Sequence, residues 1–179
     1  MTLVLIVVLL TLLAAIFLLR VSHGHAEEIA SVDDLAGKTS AIDIEAFQNL
    51  INPEETEFLR SRLPAADFRR VQRERTLATL EYVQRIAQNS AVLLRLGQAS
   101  RNHADPEVAK AARFMVERAL TVRMHAMRAI IQLRLKTFLP FMWFDPAEVF
   151  DRYQKLTDVA VIFTRLQRPA FAGRVNAML

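Results

Sequence analysis

Two kinds of hydrophobic pattern divide the chain. From Met1 to Leu19 the residues are almost unbroken Leu, Val, Ile, Phe and Ala, and none is charged. As a helix rising 1.5 Å per residue this run spans about 28 Å, close to the ~30 Å hydrocarbon core of a bilayer. It predicts a transmembrane anchor over residues 1–20. A cleavable signal peptide is the rival reading, with Gly24-His25-Ala26 as its small-residue site, but no basic stretch precedes the run and the run exceeds the usual h-region. Arg20 on the C-terminal flank, with no positive side chain on the other, places the body on the cytoplasmic side.

Beyond residue 20 the apolar positions recur at three and four residues, the period of amphipathic helices. Residues 21–51 interrupt any period with His23-Gly24-His25, Asp33-Asp34 and Gly37-Lys38, and read as an acidic linker, extended or only briefly helical. Asn52-Pro53-Glu54-Glu55, Asp105-Pro106-Glu107 and Asp145-Pro146-Ala147-Glu148 each combine a polar cap, a proline at the first helical position and a glutamate at the positive end of the dipole. They predict helix starts, and Leu63-Pro64 predicts a fourth. The expected helices run over 53–62, from 64 to about 102, from 106 to about 138 and from 146 to about 168, with Asn89-Ser90 and Gly97 as weak points of the second. The third carries Val108, Ala112, Met115, Ala119, Val122, Ala126, Ile130 and Leu133 on one stripe. A second stripe of Val116, Leu120, Met127, Ile131 and Leu135 predicts that it buries more than one face. The two long helices are joined by a few residues and must run antiparallel. The predicted fold is therefore all-α: one N-terminal transmembrane helix followed by a bundle over 52–169 built on a long antiparallel hairpin, with an irregular tail over 170–179.

Composition narrows the chemistry. There is no cysteine, which excludes disulfides, thiol catalysis and Cys-ligated metals, and the four glycines are too scattered to build a phosphate loop. Neither paired acids in a cleft, nor a nucleophile with its base, nor a His-Glu-x-x-His motif is visible, so no enzyme activity, cofactor or small-molecule substrate is expected. His23 and His25 lack fixed partners for a metal, and His125 beside Met124 and Met127 reads as an interface histidine rather than a haem ligand.

Charge is uneven: residues 26–57 hold nine acidic residues and one basic, whereas residues 58–179 hold 21 basic and ten acidic. The two segments should attract each other. Nucleic acid is not an expected partner, because arginines at 113, 118, 123 and 128 circle their helix instead of forming a stripe. Around the proline of Phe138-Leu139-Pro140-Phe141-Met142-Trp143-Phe144, four of seven residues are aromatic. Phe138, Phe141, Met142, Trp143 and Phe144 read either as a buried turn closing the bundle or as a membrane-interface or partner contact. Arg60, Arg62, Arg69, Arg70, Arg134 and Lys136 fall at the same end of the hairpin and form a candidate basic surface for anionic lipid.

Asn52-Pro53-Glu54-Glu55, Phe58-Leu59-Arg60, Leu63-Pro64, Phe68-Arg69, Val71-Gln72-Arg73 and Ala91-Val92-Leu93-Leu94-Arg95-Leu96-Gly97 together resemble a group of uncharacterised, membrane-anchored helical proteins of bacteria. The resemblance covers about a quarter of the chain, implies the same anchored helical body, and brings no activity; the expected location is a bacterial inner (cytoplasmic) membrane. On these grounds the chain is expected to be a non-catalytic accessory or structural subunit of a larger membrane complex, of the energy-transducing kind, photosynthetic or respiratory, with other integral membrane subunits and the lipid bilayer as partners. The alternative is a membrane-tethered adaptor that recruits a soluble partner.

Overall fold

The computed structural model describes residue 29 and residues 31–136, 147–169 and 172–179. The apolar run of residues 1–19, His23, His25 and the aromatic segment 138–144 all lie outside the described residues. Among those described, every regular element is helical, and none of the helices is long and apolar enough to cross a membrane.

A 3-10 turn at Val32–Leu35 precedes α1 (Ile44–Ile51), α2 (Pro53–Arg62), α3 (Ala65–Ser100), α4 (Pro106–Lys136), α5 (Ala147–Gln167) and α6 (Ala172–Met178). Local chemistry sets the boundaries. Asp43 caps α1 by accepting from Ala46 N at 2.9 Å. Asn52 ends α1 and starts α2, its Oδ1 accepting from Glu54 N at 2.8 Å with Pro53 behind it. Asp105 repeats the device for α4, accepting from Glu107 N at 2.8 Å.

The frame is the hairpin of α3 and α4, with α5 returning along it. At 36 and 31 residues, α3 and α4 are about 54 and 46 Å long. Ala112, Ala119, Ala126 and Ala129 are buried on α4 between the larger Met115, Val122 and Leu133, and these short side chains let the helices approach. The approach is closest at Gly97, where an added Cβ would stand 2.9 Å from Val116 Cγ2 and 3.0 Å from the Ala112 carbonyl oxygen. Gly97 is thus a packing position and not a weak point, and α3 passes unbroken through Asn89-Ser90 as well. Buried Thr79, Ser90 and Thr164 satisfy their hydroxyls on the carbonyl four residues back, which lets them sit inside helices without a polar cost.

Two segments depart from expectation. The stretch read as linker belongs to the body from residue 29 onward: Ile29, Val32, Leu35, Ile42 and Phe47 are buried. Phe47 stacks on Tyr82 at 5.2 Å between ring centroids and tilts against Phe150 at 5.7 Å, so one aromatic side chain ties α1 to α3 and α5. The tail, expected to be irregular, forms α6 and buries Val175 and Leu179. The stripe of Ile44, Phe47 and Ile51 behind the Asp43 cap does carry a helical period, short as it is, and long-range contacts fix where it packs.

Ion pairs join the acidic and basic segments. Arg168 Nη1 lies 2.8 Å from Asp33 Oδ2 and Arg75 Nη1 lies 3.4 Å from Glu55 Oε2. Arg75 also donates to the Asn49 and Leu50 carbonyls at 2.9 and 3.0 Å, closing the C-terminal end of α1, where the orphan carbonyls attract a cation.

Candidate functional site

Four features have chemistry beyond packing. The first is a polar node inside the core. Asn89 of α3 is fully buried; its Oδ1 accepts from Ser40 N at 2.9 Å, and its Nδ2 donates to Ser40 O at 2.8 Å and to Tyr153 Oη at 2.7 Å, with a weaker contact to Leu179 O at 3.4 Å. Tyr153 in turn donates to Leu179 O at 2.7 Å. Four distant parts of the chain meet here. Burial pushes the Tyr153 phenol well above its ordinary 10.0, against a smaller opposing effect of the Asn89 hydrogen bond. A phenol so held donates hydrogen bonds and is no general base, so the node orders the fold. Its signal in the sequence is an amide three residues after Ile86 and four before Leu93, on the face those two bury.

The second is the basic end of the hairpin. Antiparallel packing places the end of α2, the start of α3 and the end of α4 on the side of the hairpin away from its turn. Arg60, however, pairs with Glu57 at 3.9 Å and Arg70 with Asp67 at 3.5 Å, each across one helical turn. Arg60 also lies over the Phe68 ring at 6.0 Å, and Arg62 over Phe58 at 5.6 Å. Arg69 and Arg134 are exposed, and with Arg62 they form no ion pair among the described residues. The free positive charge there is thus less than the arginine count implies. Lys136 ends α4, and its side chain, like Phe138, Phe141, Met142, Trp143 and Phe144, lies outside the described residues.

The third is a cleft of about 420 Å³ at the opposite end, beside the turn between α3 and α4, where Ser31, Ser100, His103, Asp105, Gln167 and Arg168 contribute polar atoms. Those atoms are largely engaged: His103 Nδ1 accepts from Asp105 N at 3.1 Å, and Arg168 is held by Asp33. Near the start of α5, Arg152 grips Glu148 Oε1 at 2.8 Å, and His125 Nδ1 lies 3.6 Å from the same oxygen. The Arg152 hydrogen bond is the main reason that the Glu148 carboxyl sits below its ordinary 4.5; desolvation opposes it, and the charges of His125, Arg152 and Arg128 add attraction. No group of three or more His, Asp or Glu among the described residues is placed to hold a metal ion.

The fourth is the second apolar stripe of α4, which the helical pattern predicts to be buried. Val116 is covered where it meets Gly97, and Met127 is half-buried, but Leu120, Ile131 and Leu135 stay 50, 47 and 40 % exposed, and Met124 beside them 64 %. α5 packs on α4 with Glu148 beside His125, about a quarter turn or more from this flank, which stays open.

No protein-family model, curated protein or solved structure matches the chain. The motifs behind the resemblance to anchored helical proteins have structural duties: Asn52 caps, Leu93 and Leu96 fill the core, and Gly97 admits α4.

Proposed function

We propose that this chain is a membrane-anchored, non-catalytic helical subunit that braces a larger membrane protein complex. The observation that carries the reading is the uncharged apolar run of residues 1–19, long enough to cross a bilayer and followed by a packed helical body. What supports the bracing role is the construction of that body. The Asn89 node and the Phe47 cluster lock the segment that leads from the anchor onto α3 and α5, so force at the anchor is transmitted to a stiff bundle rather than to a loose tether. The buried polar groups are committed to one another, as in a scaffold.

The reading has the body in the cytoplasm, beneath a bacterial inner membrane, and makes other integral membrane subunits and lipid its partners. An energy-transducing complex, photosynthetic or respiratory, is the host in this proposal. The second reading, an adaptor for a soluble partner, is favoured by the open flank of α4. Replacing Leu9 and Leu12 with arginine tests the anchor, since each charge near the middle of a spanning helix costs about 2.5–3.5 kcal/mol on insertion. The wild-type chain should stay with membranes through an alkaline wash and the double variant should be released; equal retention of both would overturn the anchored reading.

A further inference from the structure

The open flank of α4 differs from an ordinary helix surface in three respects. Val116, Leu120, Met124, Met127, Ile131 and Leu135 fall within an arc of about 100° along one side of the helix, and four of the six are large and substantially exposed. They recur at eleven residues, Val116 with Met127, Leu120 with Ile131 and Met124 with Leu135. Over the twenty residues spanned, such a repeat, about 3.67 residues per turn, drifts only about 20° every eleven residues around a straight helix, so the stripe stays on one side of it. Arginines border it: Arg113 and Arg134 stand toward its two ends and Arg128 along one edge, with Glu117 the acidic residue on the same side. Arg113 and Arg134 form no ion pair among the described residues. A straight apolar band edged by long cationic side chains matches a flat surface with negative charge above hydrocarbon.

The course of the chain indicates how such a surface is reached. Ser31 and Val32 line the cleft beside Ala99, Ser100 and His103, so the chain leads toward residues 1–28 from the turn end of the hairpin. The basic end, with Arg62, Arg69 and Arg134, lies about 50 Å away, the length of α3. Residues 20–28 reach at most about 30 Å even when fully extended. If the hairpin stood upright on its anchor, the basic end would be far from the bilayer. Lying flat, both ends and the flank between them meet it together.

We infer that the hairpin lies along an anionic membrane surface, with the α4 flank of Leu120, Met124, Ile131 and Leu135 in the headgroup region and Arg113, Arg128 and Arg134 on the phosphates. The inference rests on the anchored reading proposed above and adds the orientation of the body and the lipid class.

The absence of cysteine makes the test direct. Single variants Leu120→Cys, Met124→Cys and Ile131→Cys, with Glu45→Cys and Asp158→Cys as exposed controls on α1 and α5, are labelled with an environment-sensitive dye in the full-length protein. The proteins are reconstituted into phosphatidylcholine vesicles with and without phosphatidylglycerol. The expected result is a blue shift and quenching by brominated lipid at the three α4 positions in anionic vesicles. At the controls the dye should stay open to aqueous iodide, and reversing Arg113, Arg128 and Arg134 to glutamate should remove most of the lipid quenching. Flotation of the same samples separates the two levels: a chain that does not float refutes the anchor. A chain that floats with its α4 labels open to iodide refutes this inference alone. Labels shielded from both quenchers overturn it in favour of a protein on the flank, either a second copy or a segment of the same chain.

Discussion

Replacing Asn89 by alanine removes the one side chain that touches Ser40, Tyr153 and Leu179 together. Three of its hydrogen bonds are short, at 2.9, 2.8 and 2.7 Å, and the contact to Leu179 O at 3.4 Å adds little. At roughly 1 kcal/mol net for each well-made bond, the loss should be about 3 kcal/mol. Ser40 is exposed enough for water to replace part of this, while the buried Tyr153 oxygen has no such substitute, so about 2–4 kcal/mol brackets the outcome. Tyr153→Phe removes the bond to Leu179 O and the one accepted from Asn89, for about 2 kcal/mol. Because the two side chains bond each other, the double variant should lose about 1 kcal/mol less than the sum of the singles. The assay is urea unfolding of the detergent-solubilised protein followed by helical circular dichroism, with exposed Gln88→Ala as the control. A loss below about 0.5 kcal/mol for Asn89→Ala, or strictly additive singles, would refute the node as a structural clamp.

Three further outcomes follow from other contacts. Gly97→Ala should destabilise by about 1–3 kcal/mol, because its Cβ meets Val116 and the Ala112 carbonyl, whereas Gly173→Ala, with nothing within 4 Å, should stabilise α6 slightly; thermal melts of the pair should move in opposite directions. Arg75→Ala removes two bonds to the end of α1 and the pair with Glu55, and should cost about 1–2 kcal/mol and raise hydrogen exchange in α1 before the other helices. The Tyr153 phenol is raised in the folded state above its ordinary 10.0, so its contribution is complete below that pH and falls away as pH rises toward the folded value. Stability measured across alkaline pH should therefore decline above 10 in the wild type and less steeply in Tyr153→Phe, and equal slopes would count against the burial argument.

How much of this could be read from the sequence depends on the range of the forces involved. Asn52-Pro53 and Asp105-Pro106 start their helices where local capping chemistry says, because each cap is complete within three residues. The antiparallel hairpin follows from helix length and a short connection. Phe47 could not be placed in the core from its neighbours alone, since the rings it packs on, Tyr82 and Phe150, lie far along the chain. The helix over 172–178 escaped for the same reason. Asn89 looked like a weakness because its partners, Ser40, Tyr153 and Leu179, are 49, 64 and 90 residues away. At the basic end the Glu-x-x-Arg spacing of Glu57 and Arg60 already marks an ion pair across one turn, which the structure contains, and Asp67 with Arg70 repeats it. The second stripe of α4 was found by its period, and the period alone does not say whether a stripe is covered.

The central claim is a permanent place in a membrane complex, and it meets its most direct test in purification of the full-length protein from its native membranes in mild detergent, followed by sizing and identification of everything that travels with it. The account predicts co-migration in fixed ratio with several integral membrane proteins. Migration alone or as a small homo-oligomer, with soluble proteins appearing only after crosslinking, would contradict it and favour the tethered adaptor.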